Sequence, residues 1–265
     1  MNQIISGSKT VLVPINKVGR NYFPYIKELQ DRKVKFIDIS DVQFAKSPSK
    51  TELSLYYGVF LTLADKFGNL FYDAVPVENF NSTQYFLGVR NLIDRNIILQ
   101  NCFVENTLSS NIGKFIAVTF YWEDEYNYNP NKKCYKQLIE VIVEQQSNLY
   151  LYKVKFPDVQ NLANKRIRSI RQGAWFASLT TPLGFPTLNP SSGTTIYMTL
   201  ANGGNIIFDN LPLKYMREQW TNSQLSFDDV LLNLQDCYLS IAFTQASDIP
   251  ATAFSVPLIV EYIEE

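Results

Sequence analysis

The residues that could carry out chemistry are few, because the 265-residue chain contains no histidine. This excludes Ser-His-Asp and Cys-His catalysis and the usual zinc sites. The run Glu123-Asp124-Glu125 could bind a hard cation or supply an acid and a base, but it lacks the spacing of a calcium loop. We interpret it as a solvated linker. Asp228 and Asp229 are expected to cap the start of a short helix.

Another carboxylate occurs twice in similar surroundings. Asp73 and Asp209 each stand three residues before a proline, Pro76 and Pro212 respectively. A duplicated catalytic carboxylate is one interpretation. The interpretation that we favour is a side-chain hydrogen bond that fixes the end of the strand before the proline. Because no convincing catalytic pair results, the sequence predicts no enzymatic activity, cofactor or metal.

The densest basic cluster comprises Lys165, Arg166, Arg168 and Arg171. Alternate side chains of a strand share a face, so Arg166 and Arg168 are predicted to point together. They could contact phosphates or an acidic neighbour, or lie on an exposed strand face. Trp220, in a polar connection, could stack on a sugar or anchor a contact between subunits. Trp220, Arg166 and Arg168 are therefore the candidate interface residues.

The other tryptophans and the cysteines are predicted to be structural. Trp122 and Trp175 lie in apolar strand contexts, which favours core packing. Cys102 and Cys237 are interpreted as small buried apolar side chains, whereas Cys134 lies in a polar segment and is expected to be exposed. Three cysteines do not indicate a disulfide framework, which suits a reducing site of synthesis.

Two segments of the chain repeat each other. Residues 59–77 are typical of a β-hairpin with a glycine-containing turn at 65–69, and residues 197–213 repeat the pattern. The Leu-Gln-x-Cys segment that begins at Leu99 recurs at Leu234 in nearly the same register. Weaker matches join residues 33–37 with 166–170 and residues 11–14 with 154–157. We interpret the chain as one β-domain duplicated in tandem.

Each half contains about eight short apolar segments with turn signals between them. This pattern predicts an all-β fold of two tandem, internally duplicated eight-stranded jelly-roll or β-sandwich domains. The first domain is predicted at 1–122, the linker at 123–134 and the second domain at 135–265. Residues 135–145 could form a strand or a helix, and their apolar alternation favours a strand. Pro257 predicts that the last strand lies at a sheet edge.

Composition limits the partners. Hydrophobic residues make up 46% of the chain and charged residues 18%, and the formal net charge is −1. With so little charge, no overall field attracts nucleic acid or an anionic membrane. The N-terminal sequence is neither basic nor long enough for a signal peptide, and no apolar run approaches the roughly 18 residues of a spanning helix. We therefore expect synthesis in a cytoplasm.

Two tandem strand-rich domains without catalytic residues resemble the double jelly-roll major capsid proteins of tailless icosahedral viruses, including membrane-containing bacteriophages. The residues that carry the resemblance are the repeated hairpins at 59–77 and 197–213 and the Leu-Gln-x-Cys strands at Leu99 and Leu234. The resemblance is one of architecture. It implies homotrimers of near-sixfold outline that tile a shell, in a virion assembled in the host cytoplasm. It also implies contacts with other virion proteins, and with an internal viral membrane or the genome, without specific nucleic-acid recognition.

Functions of other classes are open at this stage. Another phage structural protein, such as a tail, collar or spike component, would use duplicated β-domains with a different ring symmetry. A glycan-binding β-sandwich module would depend on Trp220. A glycosidase needs two carboxylates that face one cleft, and the sequence offers no convincing pair.

Overall fold

The computed structural model describes residues 3–30, 32–40, 57–77, 92–124, 131–172, 186, 194–213, 225–243 and 246–264. In these residues the secondary structure consists of β-strands and single 3-10 turns, without a helix of seven or more residues. The prediction of an all-β fold is therefore confirmed. Contacts divide the chain into a first unit, Ile5–Glu125, and a second unit, Tyr126–Glu265, with which Met1–Ile4 is grouped.

Strands β1 to β9 lie before the boundary between the units. They are β1 (Gln3–Ile5), β2 (Gly7–Pro14), β3 (Gly19–Tyr22), β4 (Lys33–Ser40), β5 (Val59–Ala64), β6 (Leu70–Pro76), β7 (Leu92–Asn96), β8 (Phe103–Asn106) and β9 (Phe115–Trp122). The pairing of β2 to β9 is nested along the chain: β2 pairs with β9, β3 with β8, β4 with β7, and β5 with β6. The resulting strand orders are β2-β9-β4-β7 and β3-β8-β5-β6.

The second unit has the same nested pairing. Its strands are β10 (Cys134–Val143), β11 (Tyr150–Lys155), β12 (Arg166–Gln172), β13 (Thr194–Asn202), β14 (Asn205–Pro212), β15 (Leu225–Phe227), β16 (Val230–Leu231), β17 (Tyr238–Phe243) and β18 (Phe254–Ile263). Here β10 pairs with β18, β11 with β17, β12 with β16, and β13 with β14. The orders are β10-β18-β12-β16 and β11-β17-β13-β14, and the short strands β1 and β15 form an additional pair.

The last strand of each unit lies at the centre of its core. In the first unit, β9 lies between β2 and β4, and all eight of its residues are buried. Ile116, Val118 and Phe120 of β9 pack into the hydrophobic core. In the second unit, β18 lies between β10 and β12, and its Leu258 and Val260 are fully buried.

The prediction that the last strand is an edge strand is therefore wrong. Strand β18 pairs with β10 along its whole length, whereas its pairs with β12 begin only at Leu258. Pro257 has no partner among the described residues of β12, so the amide hydrogen that proline lacks removes none of the described bonds to that strand. A proline thus occupies a strand that lies between two others.

Both predicted hairpins are confirmed, since β5 pairs with β6 and β13 pairs with β14. In the first hairpin, the Asp65 carboxylate accepts hydrogen bonds from the amides of Phe67 at 2.8 Å and Asn69 at 3.0 Å. In the second hairpin, Gly203 and Gly204 form the loop with φ angles of 57° and 82°. This left-handed conformation favours glycine and matches the twist of the flanking strands.

One of the weaker repeat matches is wrong. Residues 11–14 lie in β2, the first nested strand of the first unit. Residues 154–157 lie at the end of β11 and just after it, and β11 is the second nested strand of its unit. The equivalent residues are Phe23 and Phe156. Their amides donate to the carbonyl oxygens of the two Leu-Gln-x-Cys cysteines, at 3.4 and 3.1 Å. The Phe-Pro sequence after each of these strands is therefore the local feature that the two units share.

A buried asparagine network fixes two loops of the first unit. The side-chain nitrogen of Asn106 donates to the carbonyl oxygens of Lys17 at 3.3 Å and Leu108 at 2.9 Å. Its side-chain oxygen accepts from the amide of Leu108 at 3.2 Å and from the side chain of Asn111 at 3.0 Å. Asn106 is fully buried, so each of its bonds replaces one that water would otherwise make.

We predict that Asn106→Ala lowers the free energy of unfolding by about 2 to 4 kcal/mol, because several buried polar groups lose their partners. Urea denaturation followed by circular dichroism measures the change. Asn101→Ala is the matched control, since Asn101 is exposed in a turn, and it should shift the free energy by less than about 0.5 kcal/mol. Equal effects of the two substitutions would contradict the structural role of the network.

Candidate functional site

The basic cluster predicted from the sequence lies on β12, and Arg168 is its centre. Its Nε and Nη2 atoms donate to the two carboxylate oxygens of Asp229, at 2.8 Å each. Its Nη1 atom donates to Sγ of Cys134 at 3.0 Å. Arg168 is 5% exposed and Asp229 is 1% exposed. The contact is therefore a bidentate ion pair removed from water.

The neighbouring arginines also have partners inside the second unit. Nη1 of Arg166 donates to the backbone carbonyl oxygen of Asp229 at 3.2 Å. Arg171 lies 3.7 Å from a carboxylate oxygen of Glu261, which also accepts a hydrogen bond from Ser169 at 3.0 Å. Arg166 and Arg168 thus both contact one acidic neighbour, as one of the three interpretations predicts. Arg168 does not lie on an exposed strand face.

In each unit, a basic side chain that pairs with a carboxylate stands at a β-bulge. The pairing of β12 with β18 is irregular at Arg168, and the pairing of β4 with β9 is irregular at Lys35. Lys35 forms an ion pair with Glu123. A bulge inserts an extra residue and re-aims its side chain. The two units therefore use the same backbone irregularity to bring a cation to an internal carboxylate.

The predicted helix cap at Asp228 and Asp229 is wrong. Both side chains are buried in the turn between β15 and β16, and the described residues there form no helix. Asp229 has a φ of 44°, a left-handed conformation that aspartate tolerates better than most residues do. No local pattern indicates its partner, because Arg168 and Asp229 are 61 residues apart in the chain.

The acidic run after β9 is also used internally. Glu123 pairs with Lys35, and Asp124 pairs with Arg32, while Glu125 lies outside the described residues. Throughout the described ranges, no group of three or more His, Cys, Asp or Glu side chains could hold a metal ion. Both carboxylates therefore pair with basic side chains of the first unit. Asp124 is exposed, in keeping with the interpretation as a solvated linker, whereas Glu123 is half-buried.

The repeated aspartates have different surroundings. Asp73 is exposed, whereas Asp209 is 2% exposed and accepts a hydrogen bond from the side chain of Asn210 at 3.1 Å. This bond joins neighbouring side chains within β14, so the predicted bond that fixes the strand end stays a prediction. The following residue has a left-handed backbone in both units, with φ of 49° at Ala74 and 53° at Asn210. The shared feature is therefore a backbone irregularity and not a paired carboxylate.

Cys102 and Cys237 make the same contacts in the two units, and both are fully buried, as predicted. Sγ of Cys102 accepts a hydrogen bond from the amide of Ala64, and Sγ of Cys237 accepts one from the amide of Ala201, at 3.4 Å in each unit. Each thiol also donates to the carbonyl oxygen four residues earlier, at 3.3 Å. Each cysteine therefore ties the first strand of its hairpin to the turn before β8 or β17.

Burial raises the pKa of the Cys102 thiol to about 11 and that of the Cys237 thiol to about 12. Cys134 is half-buried, so the expectation of an exposed thiol is wrong. Burial raises the pKa of Cys134 as well, although the nearby positive charge of Arg168 opposes the shift. Because the thiolate is the reactive form, these environments suit structural and not nucleophilic cysteines.

A cation lies over an aromatic ring at matching positions of the two units. The guanidinium carbon of Arg20 is 4.6 Å from the ring centre of Phe103, and Nζ of Lys153 is 5.6 Å from that of Tyr238. Each ring directly follows the buried cysteine of its unit. Sequence reasoning missed this pair of contacts. The signal that could have found it is the aromatic residue that follows each repeated cysteine.

The structure tests the prediction for one of the three tryptophans. Trp122 is 7% exposed and packs in the core of the first unit, which confirms its prediction. The guanidinium carbon of Arg32 lies 5.5 Å from its ring centre. Trp175 and Trp220 lie outside the described residues. The interface role of Trp220 therefore stays a prediction.

Several of the described polar side chains contact one another within their own unit. Lys35 pairs with Glu123, Arg168 pairs with Asp229, and the buried thiols are bonded to the backbone. Among the described helical segments, none has both the length and the apolar character needed to cross a bilayer.

Comparisons of the chain with protein-family models, with curated proteins and with solved structures find no match.

We predict that Asp229→Asn lowers the free energy of unfolding by about 3 kcal/mol, because the buried charge of Arg168 loses its counter-ion. Asparagine keeps the size of the side chain and tolerates the left-handed backbone. Chemical denaturation monitored by intrinsic fluorescence measures the change.

The control for this substitution is Lys165→Ala. Lys165 is partly exposed and lies 3.6 Å from the exposed Glu264. Loss of this surface pair should cost less than about 1 kcal/mol. If Asp229→Asn had no larger effect than Lys165→Ala, the buried pair would not be a structural element.

The buried thiols predict a loss of stability in alkaline solution. Above the ordinary thiol pKa the unfolded chain releases these protons, whereas the folded chain keeps them, so the stabilisation falls as the pH rises. Between pH 8 and pH 10 each thiol should account for a fall on the order of 1 kcal/mol in the free energy of unfolding.

The measurement compares the wild-type chain with the double variant Cys102→Ser, Cys237→Ser. Serine keeps a hydrogen-bond donor and acceptor and does not titrate in this range. The double variant should therefore show a smaller fall between pH 8 and pH 10, whatever its absolute stability. Parallel pH profiles would refute the assignment of the fall to these thiols.

Proposed function

We propose that this protein is a structural virion protein, a major capsid protein of the double jelly-roll class. It forms homotrimers of near-sixfold outline, and these trimers tile an icosahedral shell. Its function lies in packing against copies of itself and other virion proteins, without catalysis and without specific nucleic-acid recognition. It acts in the virion after assembly in the host cytoplasm, where it can also contact an internal viral membrane or the genome.

The observation that carries the proposal is the nested pairing of the strands. A jelly roll is a long ribbon of four strand pairs rolled so that its eight strands form two facing sheets. Pairing of first with last, second with seventh, third with sixth and fourth with fifth is what this rolling produces. Both units have these four pairs, when the additional short strand β15 is set aside.

The contacts of the repeated cysteines support an internal duplication. Cys102 and Cys237 bind the equivalent alanines, Ala64 and Ala201, with the same distances. The bulges at Lys35 and Arg168 recur at the same place in the pairing. Two unrelated sandwiches would have no reason to share a thiol contact and a bulge. Duplicated domains suit the proposal, because two similar barrels in each of three chains give a near-sixfold outline.

The polar contacts favour a structural role over catalysis. The cations at the two bulges each pair with a carboxylate of their own unit, Arg168 with Asp229 and Lys35 with Glu123. Removal of either member of a buried pair such as Arg168 and Asp229 is costly to the fold, as expected of a structural contact. The described polar contacts thus provide no specific support for the glycosidase alternative.

The proposal predicts that the purified full chain forms trimers. Size-exclusion chromatography with light scattering should give three times the mass of one chain, and negative-stain electron microscopy should reveal particles with a hexagonal outline. A chain that stays monomeric under all assembly conditions would refute the proposal. A sixfold or twelvefold ring would instead support a tail or collar protein.

A further inference from the structure

Strands at the edge of a sheet expose unpaired backbone groups, and natural proteins usually shorten or distort such strands. In the described part of the chain, strands of four or more residues at a sheet end include β3, β6, β7, β10 and β11. Strands β3 and β7 have only four and five residues. Strand β6 is bulged and ends in Pro76, and β11 is bulged with Lys153 at a φ of 60°. These four edges are therefore protected.

Strand β10 is neither shortened nor bulged, and its charged side chains are Lys136 and Glu140. It has ten residues without glycine or proline, and it pairs with β18 at ten consecutive positions without a bulge. Its side chains Lys136 and Leu138 are exposed, Leu138 by 46%. The ring of Tyr135 stacks on that of Tyr262 with the centres 5.7 Å apart, which holds one end of the strand against its neighbour. The edge is thus long, regular and rigid.

We propose that β10 pairs antiparallel with β10 of a second copy of this chain, with Leu138 opposite Leu138. This register is self-complementary, because it places the exposed Lys136 of each copy opposite Glu140 of the other, a carboxylate that is 8% exposed and also accepts a hydrogen bond from Ser255 at 3.3 Å. Opposite charges at directly facing positions of an antiparallel pair are stabilising. The two exposed leucines cover each other in the centre of the contact.

The register also keeps the buried faces aligned. With Leu138 opposite Leu138, odd-numbered residues of one copy face odd-numbered residues of the other. The core-facing Ile139 and Val141 of both copies therefore lie on the same face of the joined sheet. Val141 would face the half-buried Tyr135 of the other copy, and Ile139 would face the half-buried Gln137. The pairing therefore keeps the two faces of β10 continuous across the joined sheet.

Such a contact is isologous, because both copies use the same strand. A trimer closes instead through two different surfaces of each chain. Self-pairing of β10 would therefore join two trimers across a local twofold axis, or join two chains where no trimer forms. The inference goes beyond the proposed function and does not depend on it.

The test is a disulfide across the proposed axis. Directly opposed residues of an antiparallel pair have Cα atoms about 4.5 to 5.5 Å apart, within the range that a disulfide spans. Leu138→Cys is made in a Cys134→Ser background, so that only the buried Cys102 and Cys237 remain as other thiols. After mild oxidation of the full chain, we expect a covalent dimer on a non-reducing gel.

The matched control is Ile112→Cys in the same background, because Ile112 is also 46% exposed but lies outside β10. Pairing raises the local thiol concentration, so the Leu138→Cys dimer should form roughly a hundredfold faster than the control dimer. Equal rates, or no dimer of Leu138→Cys, would overturn the proposal. A Leu138→Cys chain that cross-links only to a Leu70→Cys chain, through β6, would also overturn it.

A second variant tests association without chemistry. Leu138→Lys puts like charges opposite each other at the centre of the contact, so sedimentation velocity should show loss of the twofold association step. Far-ultraviolet circular dichroism and the thermal midpoint should stay unchanged, as expected for a surface residue. Unchanged association of Leu138→Lys would count against the proposal.

The same experiments separate this inference from the proposed function. Trimers that persist in the Leu138→Lys variant would support the proposed function independently. Dimers of the wild-type chain without trimers would refute the proposed function and leave the pairing of β10 supported.

Discussion

Each unit depends on the insertion of its last strand between two strands that precede it by many residues. Strand β9 lies between β2 and β4, and β18 lies between β10 and β12. Until this insertion occurs, the apolar side chains of the central strand have no core to enter. The inner hairpins form from local sequence, whereas the outer pairs join the two ends of each unit. Closure of the outer pair therefore completes the hydrophobic core on which all other contacts rest.

The charged contacts follow from the same closure. Lys35 lies on the strand that pairs with β9, and its partner Glu123 directly follows β9. Arg168 lies on the strand that pairs with β18, and its partner Asp229 precedes the short strand β16 on the other side. A buried ion pair contributes little net stability, yet removal of one partner is costly. The buried pair of Arg168 and Asp229 therefore favours one register of its sheet over alternatives more than it strengthens that sheet.

The sequence predicts local features of this fold well and distant ones poorly. Both hairpins were predictable because their turn residues, such as Gly203 and Gly204, act within a few positions. The buried cysteines were predictable because they recur within repeated segments. The partner of Arg168 was not, since Asp229 is 61 residues away and β16 has only two residues, too few for a periodic pattern. Pro257 misled the prediction because the effect of a proline depends on which positions of the strand pair with each neighbour, and this is not a local property of the sequence.

The central position of β18 has a consequence for the timing of assembly. Before β18 arrives, β10 has two open edges and could pair with strands of other newly made chains. Folds dominated by distant strand pairs close slowly, in milliseconds to seconds, so such encounters compete with correct closure in a crowded cell. Dilution, slow synthesis or a chaperone would each favour the intramolecular route. The yield of correctly folded chains should thus depend on how fast β18 pairs within its own chain relative to how fast β10 pairs with other chains. Pairing between chains would give polymer in place of folded subunits.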